Sequence, residues 1–241
     1  MTVAFDRYAL ITGASSGIGK ATALAFARAG IHLVLVSRNQ VRLQEVASLV
    51  SDFDVNVKIH CLDLAQVDQV QGSIAAIVAG FGPVSILVNC AGMGYTGRLA
   101  QTSLTDWQQV LNLNLTSVFQ CIQGVLPTMR QHQQGTIINV TSVAGSQVFP
   151  EWGAYCVSKF GLTALSKTLA VEERANGIRV VMIAPGAVNT GIWDTDSVQA
   201  DFDRALMLTP EMVADSILHA ALLPAQAVIE ELKIMPNVGT F

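Results

Sequence analysis

The sequence has few charges and few of the residue patterns that hold metals or disulfides. Of its 241 residues, 13% are charged and 51% are hydrophobic, and the formal net charge is −4. No run of lysine or arginine is present, so we expect neither nucleic acid nor an anionic membrane as a partner. The four cysteines and four histidines are scattered and show no CxxC spacing. We therefore expect no metal site, and buried thiols in a reducing compartment.

Long uninterrupted apolar runs are also missing, although the mean hydropathy of +0.45 is high. The most apolar window, Ile74 to Gly92, is interrupted by Gly80, Gly82 and Pro83, whereas a spanning helix needs about 20 largely apolar residues. The first residues lack the basic start, apolar run and cleavage site of a signal peptide. We therefore expect a cytoplasmic protein that interacts with no membrane, in which strands and helices bury one another.

The chain does have a regular alternation of short apolar runs and helix-length segments. The runs are rich in Val, Ile and Leu, which is typical of strands buried on both faces of a parallel sheet. We predict strands at Tyr8–Ile11, His32–Val36, Val55–Cys61, Ser85–Val88, Thr136–Val140, Arg179–Ala184 and Val228–Ile234. We predict helices at Ile18–Ala29, Asn39–Asp52, Ala65–Ala79, Thr105–Gln131, Tyr155–Ala175 and Glu211–Leu222.

This order predicts the fold class. Strands and helices that alternate along a chain build a parallel sheet with right-handed crossovers. We expect an α/β fold with three layers, a doubly wound parallel sheet of about seven strands (Rossmann-like), and a single domain over residues 1–241. The least regular segment, residues 190–209, is expected to be a substrate loop.

A glycine-rich turn follows the first strand and opens the first helix. It reads Thr-Gly-Ala-Ser-Ser-Gly-Ile-Gly over residues 12–19. Glycines permit a tight turn, and a helix N-terminus offers free N–H groups and a positive dipole end to a pyrophosphate. A turn of this kind can be only a tight connection, but its place in the alternating pattern favours a ligand. We predict that the phosphates of a dinucleotide bind at Gly13, Ser15, Ser16, Gly17, Ile18 and Gly19.

The end of the second strand bears on which dinucleotide binds. An acidic residue there would hold the ribose 2′-hydroxyl of NAD, whereas an arginine accommodates the 2′-phosphate of NADP. The chain reads Ser37-Arg38-Asn39, and a planar guanidinium suits bidentate phosphate contact. Alternatively, Arg38 is a solvated residue at a helix start, where cations are disfavoured. We predict that these three residues bind NADP(H) in preference to NAD(H).

Tyr155 and Lys159 stand four residues apart, so in a helix their side chains project from one face. Carbonyl reduction needs a proton for the forming alkoxide as hydride arrives. A free tyrosine, with a pKa of ~10, is a poor base at neutral pH. A nearby ammonium would lower that pKa towards the operating pH. Alone, such a pair can also be a surface contact on an amphipathic helix.

The spacing Thr-Gly-x-x-x-Gly-x-Gly together with Tyr155-x-x-x-Lys159 resembles the single-domain members of the short-chain dehydrogenase/reductase family. The resemblance covers nearly the whole chain and implies roles for individual residues. Ser142, thirteen residues before Tyr155, would hold the substrate oxygen. Asn114, rather than the nearby Asn112, would support a water chain that carries protons past Lys159. Tyr155 would be the general acid/base, and Lys159 would also grip the nicotinamide ribose.

The resemblance implies further cofactor contacts after the third, fourth and sixth strands. After the fourth strand the family usually has Asn-Asn-Ala-Gly, and this chain has Cys90 in place of the second Asn. The hydrogen bonds that this Asn side chain would make are therefore in question. The backbone of Val188 would bind the nicotinamide carboxamide, and the family transfers the pro-S hydride. The full set is Asp63, Leu64, Asn89, Ala91, Gly92, Pro185, Gly186, Val188 and Thr190, beside Tyr155 and Lys159.

The substrate pocket is expected to be apolar. Its wall candidates are Met93, Gly94, Val143, Phe149, Trp152, Ala187 and Trp193, beside Ser142 and Tyr155. Aromatic residues in loops can also serve only packing. An apolar wall suits an aliphatic or aromatic ketone rather than a sugar. We predict an NADP(H)-dependent oxidoreductase that interconverts a small carbonyl compound and its alcohol.

Two alternative functions and the oligomeric state stay open. The alternative is a 3-oxoacyl-[acyl-carrier-protein] reductase, although residues 131–134 read Gln-His-Gln-Gln and are not the basic turn that would meet an acidic carrier. The segment Ile229–Pro236 also differs from the Gly-Gly ending common in those enzymes. A non-catalytic dinucleotide sensor is less favoured, because both Tyr155 and Lys159 are present. The family implies a homotetramer or homodimer; the apolar stretch Val118–Met129 fits such an interface or the sheet.

Overall fold

A computed structural model describes residues 7–239 of the chain. Residues 1–6 and 240–241 lie outside the described residues. The expectation of no signal peptide falls partly on residues 1–6. Within this part, seven strands form one sheet in the order β3-β2-β1-β4-β5-β6-β7, and every neighbouring pair is parallel. The strands are β1 Tyr8–Thr12, β2 His32–Ser37, β3 Val57–Cys61, β4 Val84–Asn89, β5 Gly135–Val140, β6 Ile178–Pro185 and β7 Glu231–Ile234.

Helices cover both faces of the sheet, which confirms the predicted three-layer, doubly wound fold. They are α1 Gly17–Arg28, α2 Gln40–Leu49, α3 Val67–Phe81, α4 Leu104–Leu111, α5 Ser117–His132, α6 Gly153–Glu173 and α7 Pro210–Leu222. Successive residues of β1 divide between two buried clusters because strand side chains alternate in direction. Ile11 joins the cluster with Phe26 of α1, and Leu10 joins the cluster with Ile74 of α3. Both faces are therefore hydrophobic.

The two edge strands differ from the sequence expectation of strands buried on both faces. In β3 and β7 every residue is exposed or half-buried, whereas the inner strands are almost wholly buried. An edge strand has a neighbour on one side only, so its surface is less covered. For the same reason Cys61, the last residue of β3, is exposed, and the expectation of buried thiols is wrong for it. Cys121 and Cys156 are buried as expected.

The apolar stretch Val118–Met129 on α5 packs inside the single chain. Val118, Ile122, Val125 and Met129 are each at most 3% exposed and join the buried cluster on the α3 side of the sheet. Most of the stretch therefore faces the sheet, although Phe119 within it is 40% exposed. Within residues 7–239, no helix is both long and apolar enough to cross a membrane.

The predicted long helix Thr105–Gln131 is interrupted at one point. A π-helical turn, Asn112–Thr116, joins α4 to α5 while the backbone stays helical. Wide turns of this kind inside helices often mark functional sites. The fully buried Asn114 lies in the middle of this one.

Candidate active site

The predicted cofactor and catalytic segments gather at one edge of the sheet. In a parallel sheet all strands end at the same edge, and ligands bind there, where the strand order reverses. Here the order reverses between β1 and β4, which lie side by side although β2 and β3 come between them in sequence. The segments after β1, β2, β3, β4, β5 and β6 therefore converge.

The glycine turn after β1 is held closely against the end of β4. The Thr12 hydroxyl accepts hydrogen bonds from the N–H groups of Cys90 and Ala91, both at 3.2 Å. Gly13 has a φ of +64°, and a Cβ there would lie 2.8 Å from the Ala91 nitrogen. A Cβ on Gly19 would overlap the Gly13 carbonyl. Only glycine fits these two positions, so the turn is built as tightly as the sequence predicted.

Helix α1 begins without a side-chain cap. Ser16 at its N-cap makes no capping hydrogen bond, and its first turn contains no acidic residue. Asn39, Ser103 and Thr209 cap helices α2, α4 and α7, whereas α3 and α6, like α1, begin without a side-chain cap. The first-turn N–H groups of α1 are thus left for an anion, and this donor set fits a pyrophosphate.

The end of β2 is linked to the glycine turn through two hydroxyls. Ser37 Oγ donates to Ser15 Oγ at 2.8 Å and accepts from the Asn39 N–H at 3.1 Å. The Asn39 side chain accepts from the Arg42 N–H at 3.0 Å, so it is engaged as a helix cap. The Arg38 side chain is exposed and makes no hydrogen bond or ion pair with the rest of residues 7–239. Its guanidinium is available to a phosphate.

Three of the predicted cofactor residues have side chains committed to the protein. Asp63 accepts from the Ala65 N–H at 3.1 Å and so shapes its own turn. Leu64 is 5% exposed and lies in the core. Asn89 is buried and donates to Asn139 on β5 at 2.9 Å, while its Oδ1 has no partner among the described residues. These geometries leave chiefly the backbone of Leu64 and Asn89 for a ligand.

Cys90, which stands where the family has a second Asn, faces away from solvent. Burial raises the pKa of its thiol to about 12, against a weaker lowering by a hydrogen bond with Thr22 of α1. The thiol therefore stays protonated at neutral pH and bonds to the helix that carries the glycine turn.

The turn after β6 presents a backbone donor. Leu208 pairs with this turn through the Ala187 carbonyl and the Asn189 N–H, at 3.0 and 2.8 Å. In such a parallel pairing the residue between them directs its own N–H to the opposite side. The residue is Val188, and its carbonyl accepts from Trp193 Nε1 at 2.7 Å. The Thr190 methyl group lies beside Gly17, 3.1 Å from the point where a Cβ would be.

Tyr155, Ser142 and Lys159 meet beyond the end of β5. Burial raises the pKa of the Tyr155 hydroxyl to about 12, and a side-chain hydrogen bond with Ser142 opposes this shift. Burial lowers the pKa of Lys159 to about 8. The expected lowering of the Tyr155 pKa by Lys159 is therefore not found, because burial raises this pKa instead. A phenol with a raised pKa remains protonated at neutral pH, so it can donate a proton.

Asn114 lies against the same group, from the π-helical turn. Its Oδ1 accepts from the Met93 N–H at 2.8 Å, and its Nδ2 donates to the Met93 carbonyl at 2.9 Å and to Ser158 Oγ at 3.1 Å. A Cβ on Gly92 would lie 3.2 Å from Asn114 Oδ1 and 3.9 Å from Lys159 Nζ. Asn114 thus joins the segment after β4 to α6, beside Lys159.

Asn112 occupies a different environment. It is half-buried and accepts from Gln108 Nε2 at 2.8 Å along its own helix. The two asparagines therefore lie in different environments, and only Asn114 contacts the segment after β4.

A cavity of about 240 Å³ opens beside the Ser142 and Tyr155 hydroxyls. Its lining includes Val143, Phe149, Trp152, Ala187 and Trp193, as expected from the sequence. Met93 and Gly94 do not line it, because Asn114 holds the Met93 backbone and Gly94 packs against Val198. Sequence reasoning missed four lining residues, Ala144, Pro150, Phe202 and Met235. Only the apolar character of Phe202 and Met235 in irregular segments could have signalled them.

The 190–209 loop contains two short 3₁₀ turns and is bonded to the segment after β4. The Thr96 N–H donates to the Ser197 carbonyl at 2.9 Å, and Ser197 Oγ donates to the Gly94 carbonyl at 2.9 Å. The Gln199 N–H donates to Thr96 Oγ1 at 2.7 Å. The loop thus covers one side of the cavity.

Arg204 fastens the two ends of this loop. Its Nε donates to Asn189 Oδ1 at 2.8 Å, and its two Nη atoms donate to Asp194 Oδ1 at 2.8 Å and to the Thr190 carbonyl at 2.9 Å. A planar guanidinium with several donors is well suited to such a role.

The doubly wound sheet, the uncapped helix after a glycine turn, and the Ser142–Tyr155–Lys159 group define a dinucleotide-dependent oxidoreductase. Comparison with known proteins agrees, since the family model for short chain dehydrogenases matches residues 7–200. The chain belongs to the short-chain dehydrogenase/reductase family and is an oxidoreductase acting on CH–OH groups.

Individual relatives are similar over almost the full chain. Sepiapterin reductase from Chlorobaculum tepidum is 34% identical over 237 residues, which cover 95% of this chain and 96% of that protein. Glycine betaine reductase from Emericella nidulans is 33% identical over 96% of this chain, but this chain spans only 19% of its length. The alcohol dehydrogenase of the archaeon Thermococcus sibiricus, solved with 5-hydroxy-NADP, has a TM-score of 0.88 and 29% identity, covering 97% of each chain.

Proposed function

We propose that the chain is an NADP(H)-dependent oxidoreductase that interconverts a small carbonyl compound and its alcohol, with Tyr155 as the general acid/base. The observation that carries this proposal is the pair of Ser142 and Tyr155 hydroxyls at the wall of an otherwise apolar cavity. The Ser142 side chain acts on the Tyr155 hydroxyl closely enough to oppose the rise in its pKa. Together they can bind one carbonyl oxygen and leave the rest of the substrate among apolar side chains.

The residues divide the chemistry between them. The bound nicotinamide would supply or accept the hydride. Ser142 would donate to the carbonyl oxygen and orient it, and Tyr155 would deliver the proton that makes it a hydroxyl. Lys159 would stabilise by its positive charge the phenolate that Tyr155 becomes after it gives up its proton. Asn114 would position the Met93 segment and the Ser158 hydroxyl beside Lys159.

NADP(H) is the proposed cofactor, through Arg38. Solved relatives carry NADP or a derivative of it. In this chain the guanidinium of Arg38 has no protein partner among the described residues, and Ser15 and Ser37 place hydroxyls next to it in sequence and space. A 2′-phosphate would supply the counter-charge that Arg38 lacks. The phosphates would bind the uncapped first turn of α1, and the Val188 N–H would bind the carboxamide.

A homo-oligomer is also proposed, on exposed apolar side chains. Phe119 on α5 and Val157 and Phe160 on α6 are 40%, 43% and 42% exposed. Exposed apolar side chains on adjacent helices favour burial against a second copy. Light scattering of the purified protein measures the mass, and Phe160→Glu should lower it if these helices meet.

The test is NADPH oxidation with a panel of ketones, diketones and an acetoacetyl thioester. Wild type should reduce small carbonyls, and Tyr155→Phe should lower kcat by about 10²- to 10⁴-fold without weakening NADPH binding. Tyr95→Phe is the matched control, because its hydroxyl bonds to Asp106 outside the cavity. Tight NADPH binding without turnover would favour a non-catalytic sensor, and turnover of the thioester alone would favour an acyl reductase.

A further inference from the structure

The cavity beside Tyr155 has an aromatic wall. This wall consists of Phe149, Trp152, Trp193 and Phe202 together with the Tyr155 ring. Among residues 7–239, none that lines the cavity carries a charge, and the lining hydroxyls are those of Ser142 and Tyr155, which the carbonyl oxygen would engage. Whatever is attached to the carbonyl therefore meets aromatic rings and aliphatic groups, such as those of Val143 and Met235, rather than charged groups.

The rings of the wall hold one another at steep angles. The Trp152 ring lies 5.4 Å from Tyr155 and 5.9 Å from Trp193, both at 69°, and Trp193 lies 5.4 Å from Phe202 at 85°. Edge-to-face packing fixes the orientation of each ring, because the positive edge of one meets the negative face of the other. The bond from Trp193 Nε1 to the Val188 carbonyl fixes that indole further. The wall is thus ordered before a substrate arrives.

An ordered aromatic wall distinguishes a planar ring from a saturated one. Both bury apolar area, but only the aromatic ring gains the edge-to-face or offset-stacked contact, which amounts to about two- to tenfold in binding for each pair. A volume of about 240 Å³ is small for a ligand pocket. A compact, flat group fills this volume, whereas a long flexible chain does not fit within it.

Charge also restricts the substrate. A carboxylate on the ring would lose its hydration without gaining a cationic partner in the lining. A quaternary ammonium group could contact aromatic faces, but the Lys159 ammonium lies 5.7 Å from the centre of the Tyr155 ring and would repel it.

From these observations we infer that the site selects uncharged aldehydes or ketones whose carbonyl carbon bears a planar aromatic or heteroaromatic ring. This inference rests on the proposed function and narrows its substrate class. In the reduction, hydride from NADPH adds to the carbonyl carbon and the Tyr155 proton adds to the oxygen. The products are the arylmethanol or aryl carbinol and NADP⁺.

The decisive measurement is the ratio of kcat/KM for benzaldehyde to that for cyclohexanecarbaldehyde. The intrinsic reactivities of the two aldehydes are the same for every variant, so a change in the ratio between variants reports the wall alone. Trp193→Leu and Trp152→Leu should each lower the ratio about tenfold. Trp193→Phe keeps a ring but loses the bond to Val188, so most of the ratio should remain. Trp107→Phe on α4, outside the cavity, should leave it unchanged.

Charged analogues form the second arm. Methyl 4-formylbenzoate should be reduced at least tenfold more efficiently than 4-carboxybenzaldehyde, and benzaldehyde more efficiently than 4-(trimethylammonio)benzaldehyde. An unchanged aryl ratio in both leucine variants would overturn the inference, as would a preference for either charged compound.

Ligand binding separates this inference from the proposed function. Trp107→Phe leaves Trp152 and Trp193 as the only indoles, since the chain has three tryptophans. In the presence of NADP⁺, benzyl alcohol should quench their fluorescence at lower concentration than cyclohexylmethanol. Stronger quenching by benzyl alcohol without any turnover would contradict the proposed function and support the aromatic selectivity. Turnover with equal quenching and an unchanged kcat/KM ratio would support the proposed function and contradict the aromatic selectivity. Equal quenching without turnover would contradict both.

Discussion

The ammonium of Lys159 donates to the backbone carbonyl of Val140 at 3.0 Å and lies 5.7 Å from the centre of the Tyr155 ring. The last residue of β5 therefore holds a cation beside the proposed proton donor. Because both side chains are buried, their pKa values move in opposite directions, to about 8 for Lys159 and about 12 for Tyr155. At neutral pH the lysine is charged and the tyrosine is protonated, as reduction requires.

A pH profile tests this arrangement. Below pH 8 Lys159 keeps its charge, so kcat/KM for carbonyl reduction should be level there and should fall as pH rises through about 8. Lys159→Arg carries a guanidinium that does not titrate in this range. Its residual activity should therefore show no fall near pH 8. An identical fall in both proteins would mean that another group titrates.

Asn114 and Asn112 form a matched pair for mutation. Asn114→Ala removes three hydrogen bonds from a fully buried position, so the free energy of unfolding should drop by about 1–3 kcal/mol. Urea denaturation measures this drop. If Asn114 also supports proton transfer, kcat should fall about tenfold or more with little change in the KM for NADPH. Asn112→Ala should change neither quantity appreciably, and equal effects of the two substitutions would contradict the assignment.

Arg38→Ala tests the cofactor preference. Loss of a charge-assisted contact with a 2′-phosphate should raise the KM for NADPH about ten- to hundredfold. The KM for NADH should change little, because NADH has a hydroxyl there. Arg28→Ala is the control, because Arg28 is the last residue of α1 and lies at the end away from the glycine turn. It should change the KM for neither cofactor. Equal increases for NADPH and NADH would refute the role of Arg38.

Arg204→Ala should loosen the 190–209 loop, because three loop contacts depend on one guanidinium. We expect faster limited proteolysis within the loop and a KM for the carbonyl substrate raised about tenfold. Arg174→Ala removes an ion pair with Glu230 in which both side chains are mostly exposed, so it should have neither effect. Unchanged loop cleavage in Arg204→Ala would show that the bonds between Ser197 and the Gly94–Thr96 segment suffice.

The sequence predicted most of the architecture and the residues that reach the site through strand ends. Parallel strands end at a common edge, so the motifs beginning at Gly13, Arg38 and Pro185 could be placed together without coordinates. Helical spacing placed Tyr155 and Lys159 on one face, and the resemblance to the family gave the pair its expected role. These positions follow from local patterns.

What sequence could not provide depends on packing between distant segments. Phe202 reaches the cavity from the irregular 190–209 loop, and Met235 is the first residue after β7. No motif surrounds either residue. The π-helical turn at Asn112–Thr116 has no periodicity signal of its own. The pKa of Tyr155 reflects how deeply the folded chain buries it, and spacing along the sequence does not show that depth.

The position of β1 in the middle of the sheet has a consequence for folding. Tyr8 pairs with His32 on one side and with Val84 on the other, so one edge of the first strand stays open until the fourth has been synthesised. Pairing over such sequence separations is slow, and an open apolar edge can associate with other chains. Refolding from denaturant should therefore be slow and sensitive to protein concentration. On the ribosome, the first strand would wait for most of the N-terminal half before it could complete its pairing.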